Sequence, residues 1–158
     1  MKTVYLDTAL PTDADRVWSA MQYSGTFLYL CRGLFGIPAL SGRTEPMLVG
    51  ECGTAWLWGL HLIPLYRHTI HVIEVDERTR TVRTHEGGGI LRTWNHTLHV
   101  EPLGPARSRY SDSIDIDAGL LTAVVARGAL AIFRYRQRRW RKLVEKHLLP
   151  EGPAYTRR

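Results

Sequence analysis

Apolar and β-branched residues alternate with polar ones from Thr3 to Leu10, the period-two pattern of a strand with one buried face. Pro11-Thr12-Asp13 then changes the period. Thr12 or Asp13 is placed to cap free N–H groups, and Val17, Trp18 and Met21 form an apolar stripe at helical spacing. Gly25 breaks that helix. Thr26 to Cys31 reads as a second short helix, ended by Gly33, Gly36 and Pro38. From Ala39 to Asp117 the period is mostly two. Strands are predicted near Ala39–Thr44, Gly53–Leu60, Arg67–Val75, Thr81–Glu86, Leu91–Glu101 and Arg107–Ile116. The connections between them are short, so neighbouring strands pair antiparallel. They are Glu45 through Gly50, the apolar Leu62-Ile63-Pro64-Leu65 loop, Asp76-Glu77-Arg78, Gly87-Gly88-Gly89 and Pro102-Leu103-Gly104-Pro105.

Asp117 caps a long helix predicted from Gly119 to Leu148, stopped by Pro150. Leu120, Leu121, Val124, Val125, Leu130, Ile132 and Phe133 make its first half apolar around most of its circumference, which predicts cover on most sides. Its second half keeps a narrow stripe of Trp140, Leu143, Val144 and Leu148 among many arginines. There is no internal repeat and no linker. One domain over residues 1–149, with a flexible tail at 150–158, is the expectation.

A long antiparallel sheet curved around one helix cannot pack flush everywhere, so it encloses space. The order of elements, and three stretches of sequence, resemble the helix-grip fold of the START-like (SRPBCC) superfamily. The stretches are Ala9-Leu10-Pro11 through Val17-Trp18, His68-Thr69-Ile70 through Asp76, and Trp94-Asn95-His96 followed by Tyr110-Ser111-Asp112 and Ile114 through Leu120. The resemblance implies an α+β fold in which about seven antiparallel strands wrap a long C-terminal helix. It also implies two short helices after strand one, and an internal cavity. It embraces polyketide cyclase/dehydrase-like and birch pollen allergen-like proteins, and so enzymes as well as carriers and receptors.

Strand parity then selects the residues that face the cavity, because faces alternate along a strand. In Arg92 to Val100 the apolar set is Trp94, His96, Leu98 and Val100. In Ser108 to Ile116 it is Tyr110, Ile114 and Ile116, with Asp112 among them. His96 and Asp112 therefore both point inward. A turn centred near Gly104 sets them opposite each other, and a two-residue shift leaves them diagonal neighbours. A carboxylate fixes the imidazole tautomer and raises its basicity, leaving the other ring nitrogen for proton transfer. His96 and Asp112 are the candidate catalytic pair, with a purely structural hydrogen bond as the competing reading.

Trp56, Trp58, Trp94 and Tyr110 are candidates for an aromatic lining. Glu86, beside the glycine turn, is a candidate to project inward with Val82 and Thr84, with an exposed place at the turn edge as the competing reading. Arg92 lies near the rim, and Val124 is the ligand-facing candidate on the helix. His68 and His71, like His96 and His99, are three apart. On a strand such residues point to opposite faces, so neither pair can chelate and no metal site is expected. One of His68 and His71 faces in, and His68 is the candidate. Gly87-Gly88-Gly89 has neither the following helix nor the lysine of a phosphate loop. The apolar Leu60–Tyr66 stretch could gate the cavity mouth, touch a partner, dock on lipid or fold onto the helix. Gly128 could give cavity space.

Of the 158 residues, 44% are hydrophobic and 23% charged, which is ordinary for a globular domain and excludes wholesale disorder. Cys31 and Cys52 form no CxxC and read as buried, reduced thiols. Asp7 follows the start too soon for a signal peptide, and no stretch is long enough to span a membrane. A cytoplasmic protein without an integral membrane segment is expected. The net charge of +6 comes largely from Arg134, Arg136, Arg138, Arg139, Arg141 and Lys142. These read as a solvated helix face stabilised by the helix dipole, not as a nucleic-acid surface. The expectation is a monomer or homodimer that binds a small hydrophobic or aromatic, polyketide-like molecule without a cofactor. In its catalytic form the reading adds cyclisation, dehydration or a related proton transfer. The alternative is a non-catalytic carrier or sensor of a lipid or hydrophobic metabolite.

Overall fold

The structure is a computed structural model that describes residues 1–146 and 149. Strand β1 (Lys2–Leu10) leads into helices α1 (Ala14–Met21) and α2 (Ser24–Cys31). Asp13 caps α1, accepting from the Arg16 N–H at 2.9 Å. A two-residue strand β2 (Phe35–Gly36) and a 3-10 turn (Pro38–Leu40) follow. The long strands are β3 (Cys52–Gly59), β4 (Ile63–Asp76), β5 (Thr81–Gly88), β6 (Leu91–Gly104) and β7 (Arg107–Asp117). A 3-10 turn (Gly119–Leu121) starts the last helix, α3 (Thr122–Glu145).

All seven strands form one antiparallel sheet in the order β1-β7-β6-β5-β4-β3-β2. The first strand pairs with the last, so α1 and α2 carry the chain across one end of the sheet to its far edge. Bulges at Leu57/Trp58, Val72/Glu74, Glu86/Gly88 and Pro102/Gly104 bend the strands and curl the sheet. Helix α3 packs on β1, β7 and α2 and leaves β3 to β5 uncovered on the concave side. This is the expected helix-grip architecture.

Several expectations are corrected. Ala39–Thr44 is not a strand. Pro38 removes a ladder donor and Gly42 takes a left-handed φ of +82°, so residues 37 to 51 loop over the concavity. Arg43 ties that loop, donating to the Glu51 carboxylate at 2.7 Å and to the Pro46 carbonyl at 2.9 Å. The apolar loop shrinks to a tight turn, with Leu60 and His61 both at positive φ and β4 resuming at Ile63. His61 folds back instead of gating: its Nε2 accepts from the Gly33 N–H at 3.2 Å, and its ring fills the space where a side chain at Gly36 would stand. Leu120 and Leu121 are exposed in the 3-10 turn that precedes α3, and Val124 is exposed because α3 is covered on one side only. Cys31 is buried as expected, but Cys52 is exposed at the start of β3. Leu148, Pro150 and the tail 150–158 lie outside the described residues.

Candidate functional site

The concavity left by α3 is hollow. Two adjoining lobes of about 520 and 410 Å³ share Phe27, Ile37, His68, Ile70, Glu86, His96 and Arg136. The first runs toward the 37–51 loop, with Leu40, Met47 and Tyr110 in its wall. The second runs toward the start of α3, with Leu65, Trp94, Gly128 and Phe133 in its wall. Gly128 leaves nothing within 4 Å of where a Cβ would lie, so the helix itself opens space there.

A hydrogen-bonded row of polar side chains crosses this apolar space. His68 on β4 bonds Glu86 on β5, Nε2 to Oε2 at 2.8 Å, and Thr84 donates to the other Glu86 oxygen. His96 on β6 bonds Asp112 on β7, Nε2 to Oδ1 at 2.9 Å. Tyr110 donates its hydroxyl to the same oxygen at 2.8 Å, and Gln137 reaches Asp112 Oδ2 at 3.5 Å. The two halves approach where His96 Nδ1 stands 4.0 Å from Glu86 Oε1. The observed register pairs His96 with Ile114 and Leu98 with Asp112, a shift of two residues from direct opposition. The tip of the hairpin is Pro105-Ala106 rather than Gly104, so His96 and Asp112 meet as diagonal neighbours.

The electrostatics favour ionised carboxylates. Burial alone would raise Glu86, but His68 and Thr84 as donors, and the charges of His96 and His68, hold it below its usual range. Asp112 is likewise pushed up by burial and brought below its usual range by the His96 hydrogen bond, Arg136, the charge of His96 and Tyr110. An ionised carboxylate only accepts, so His96 Nε2 and His68 Nε2 both carry protons. Tyr110 is raised well above its usual value by burial and the neighbouring Asp112. Burial, with Glu86 nearby, pushes Tyr66 up to about 12. Burial pushes the Cys31 thiol up to about 11, which keeps it neutral.

Of the residues singled out by sequence, His68, Glu86, His96, Asp112, Tyr110 and Trp94 come together on the concave face. His71 is exposed and His99 bonds Thr81, so each histidine pair is split between faces. Trp56 is 49% exposed on the convex face, because the inward positions of β3 are Ala55 and Leu57. Trp58, past the bulge, lines an outer groove with Tyr29 and His61. Arg92 lies over Gly119 at the rim and does not line the cavity. Val124 is 64% exposed, and its neighbour Val125 takes the inward position. Among the described residues no three His, Cys, Asp or Glu side chains converge where a metal could bind.

Arg136 is the residue that sequence reasoning missed. Grouped with the solvated arginines, it is 4% exposed and lines both lobes. Its guanidinium lies 4.6 Å from the centre of the Phe133 ring and 5.7 Å from that of Phe27. The signal was present in the spacing. Ala129, Phe133, Arg136, Trp140 and Leu143 recur every three or four residues on one buried stripe, with Gln137 beside Arg136.

A curled seven-stranded sheet gripping a long C-terminal helix, with two short helices after the first strand, is a helix-grip fold. Solved structures of that fold superpose over nearly the whole chain. Norcoclaurine synthase from Thalictrum flavum, in complex with dopamine and hydroxybenzaldehyde, matches with a TM-score of 0.64 at 18% identity over 92% of this chain and 87% of that one. The Zhui aromatase/cyclase from Streptomyces sp. R1128 matches with 0.66 at 14% identity over 93% and 95%. A START superfamily protein from Mycobacterium smegmatis matches with 0.66 at 14% over 92% and 98%. No family model matches the sequence, and neither does any curated protein sequence. No helix among the described residues is long and apolar enough to cross a membrane.

Proposed function

We propose that this protein binds a small hydrophobic, aromatic molecule in the cavity and moves a proton on it, in a cyclisation, dehydration or related step. One observation carries the reading: in a cavity with mostly apolar walls, a carboxylate-oriented histidine and a second carboxylate face each other across 4.0 Å. A ligand hydroxyl oxygen about 2.8 Å from both would subtend roughly 90°; it donates its one proton to His96 Nδ1 or to Glu86, and once Nδ1 is protonated it can accept from Nδ1 while donating to Glu86. Asp112 holds His96 by Nε2, and Nδ1 is the nitrogen left to take a proton from an acidic C–H or O–H. The imidazolium so formed sits between Asp112 and Glu86 and can return its proton to a departing hydroxyl. His68 and Thr84 hold Glu86 in place. Trp94 and Tyr110 shape the walls. The likeness to a synthase solved with two aromatic compounds and to an aromatase/cyclase supports this reading.

The carrier or sensor reading has its own support, since each carboxylate already has a histidine and a hydroxyl as partners without any ligand. Native mass spectrometry of the purified protein, followed by denaturing extraction, tests both. A copurifying apolar small molecule is expected. An empty protein that also ignores a panel of aromatic and lipid probes contradicts both. Solvent deuterium entering the bound molecule, and lost in His96→Ala with binding retained, supports catalysis. A bound molecule that gains no deuterium leaves the carrier.

A further inference from the structure

Arg136 presents a problem that the proton-transfer site does not solve. A guanidinium is always charged and carries five N–H donors in a planar fork. Burying it is unfavourable unless acceptors meet those donors. Here the side chain is 4% exposed, its Nε is buried without a hydrogen bond, and no described residue accepts from it or forms an ion pair with it. Its contacts are with ring faces, Phe133 and Phe27. The obvious internal counter-ions are already committed. Asp112 accepts from His96, Tyr110 and Gln137, and Glu86 from His68 and Thr84. Both supply a negative field at Arg136, but neither gives it a hydrogen bond.

The two phenylalanines hold the fork where the lobes join. A planar oxyanion matches such a fork with two parallel N–H···O bonds, and an apolar body can then extend into either lobe. We infer that the cavity takes an organic acid, an apolar and preferably aromatic body bearing one carboxylate that pairs with the Arg136 guanidinium. The inference rests on the reading of the cavity as a small-molecule site and narrows it to one class. The anion meets Arg136 while the rest of the molecule reaches the gap between His96 and Glu86.

Titration calorimetry with 2-naphthoate and its neutral isostere 2-naphthamide tests this, on the wild type and on Arg136→Gln. The wild type is expected to bind naphthoate about 10-fold or more tighter than naphthamide, the scale of a charge-assisted hydrogen bond. Arg136→Gln should lose that preference and bind the two probes alike. Equal binding of the two probes by the wild type overturns the acid assignment and leaves the cavity reading standing. Binding of neither overturns both. A preference that survives in Arg136→Gln also overturns it. Arg136→Met gives a second readout that does not depend on the first variant folding. An arginine kept for a ligand should be replaced by methionine with unchanged or raised melting temperature. A large fall in melting temperature would mark Arg136 as structural and overturn the inference.

Discussion

The concave face of the sheet is filled in two ways, and the boundary falls within a few residues. At the end covered by α1 and the last turns of α3, Leu10, Val17, Val82, Val100, Trp140 and Leu143 pack into a continuous core, and the Tyr110 ring packs tilted against Trp140 with centroids 5.0 Å apart. At the other end β3 to β5 curve away, α3 presents Gly128 and Ala129, and the interior is open. Both ends have apolar walls, so hydrophobicity does not separate them. Buried ionisable groups do. His68, Glu86, His96 and Arg136 all border the hollow, and Asp112 with Tyr110 marks its edge. A fold that needed only stability would fill this space with aliphatic side chains. On the function proposed above, the hollow and the ionisable groups around it serve a ligand.

The largest effect is expected at the boundary. Asp112→Ala leaves His96, Tyr110 and Gln137 without their shared acceptor, and removing one partner of a buried ion pair costs about 3–5 kcal/mol. Urea denaturation reads it. A smaller loss would mean that the row of polar groups can be rewired or wetted, and that the two ends differ less than their packing suggests.

A matched pair of truncations comes next. Leu10→Ala, in the solid end, should cost about 2–5 kcal/mol and leave probe binding unchanged. Ile70→Ala, on the shared wall of both lobes, should cost less than about 2 kcal/mol, because one side of that residue already faces empty space. It should also change probe affinity. Equal losses at the two sites would mean the hollow closes in solution.

Acid provides a third contrast. Glu86 and Asp112 titrate below their usual range in the folded protein. Their contribution is therefore present above the unfolded-state values, about 4.3 and 3.9, and is lost as pH falls through the lower folded values. Stability measured against pH should drop steeply below about pH 4. Asp112→Asn should flatten that drop, whereas Leu10→Ala should lower the whole curve without changing its shape. The smallest effect is expected at Gly128. Alanine there meets no neighbour and should stabilise α3 by about 1 kcal/mol. Gly128→Leu should weaken probe binding by filling the second lobe.

Most of the strands, the two short helices and the long helix were legible because their periods differ and glycine or proline marks their ends. The His96–Asp112 contact was legible from parity alone, since a two-residue slip preserves the face of every side chain. What failed had local causes. Residues 39 to 44 alternate like a strand, yet Pro38 and Gly42 turn them into the loop that walls the first lobe. On β3 the apolar weight of two tryptophans pointed to the wrong face, and Ala55 and Leu57 hold the inward positions. Val124 was chosen from an apolar run whose outer side α3 leaves uncovered. Arg136 was hidden by its charge. Charged residues in a basic run read as solvated, although helical spacing from Phe133 to Trp140 passes through it.

Side-chain nitrogen NMR of the histidines, with and without saturating 2-naphthamide, tests the central claim most directly. The account predicts that His96 carries its proton on Nε2 toward Asp112, and that Nδ1 is bare in the free protein and shifts when the probe enters. A His96 protonated on Nδ1, or one that does not respond at saturation, would contradict it.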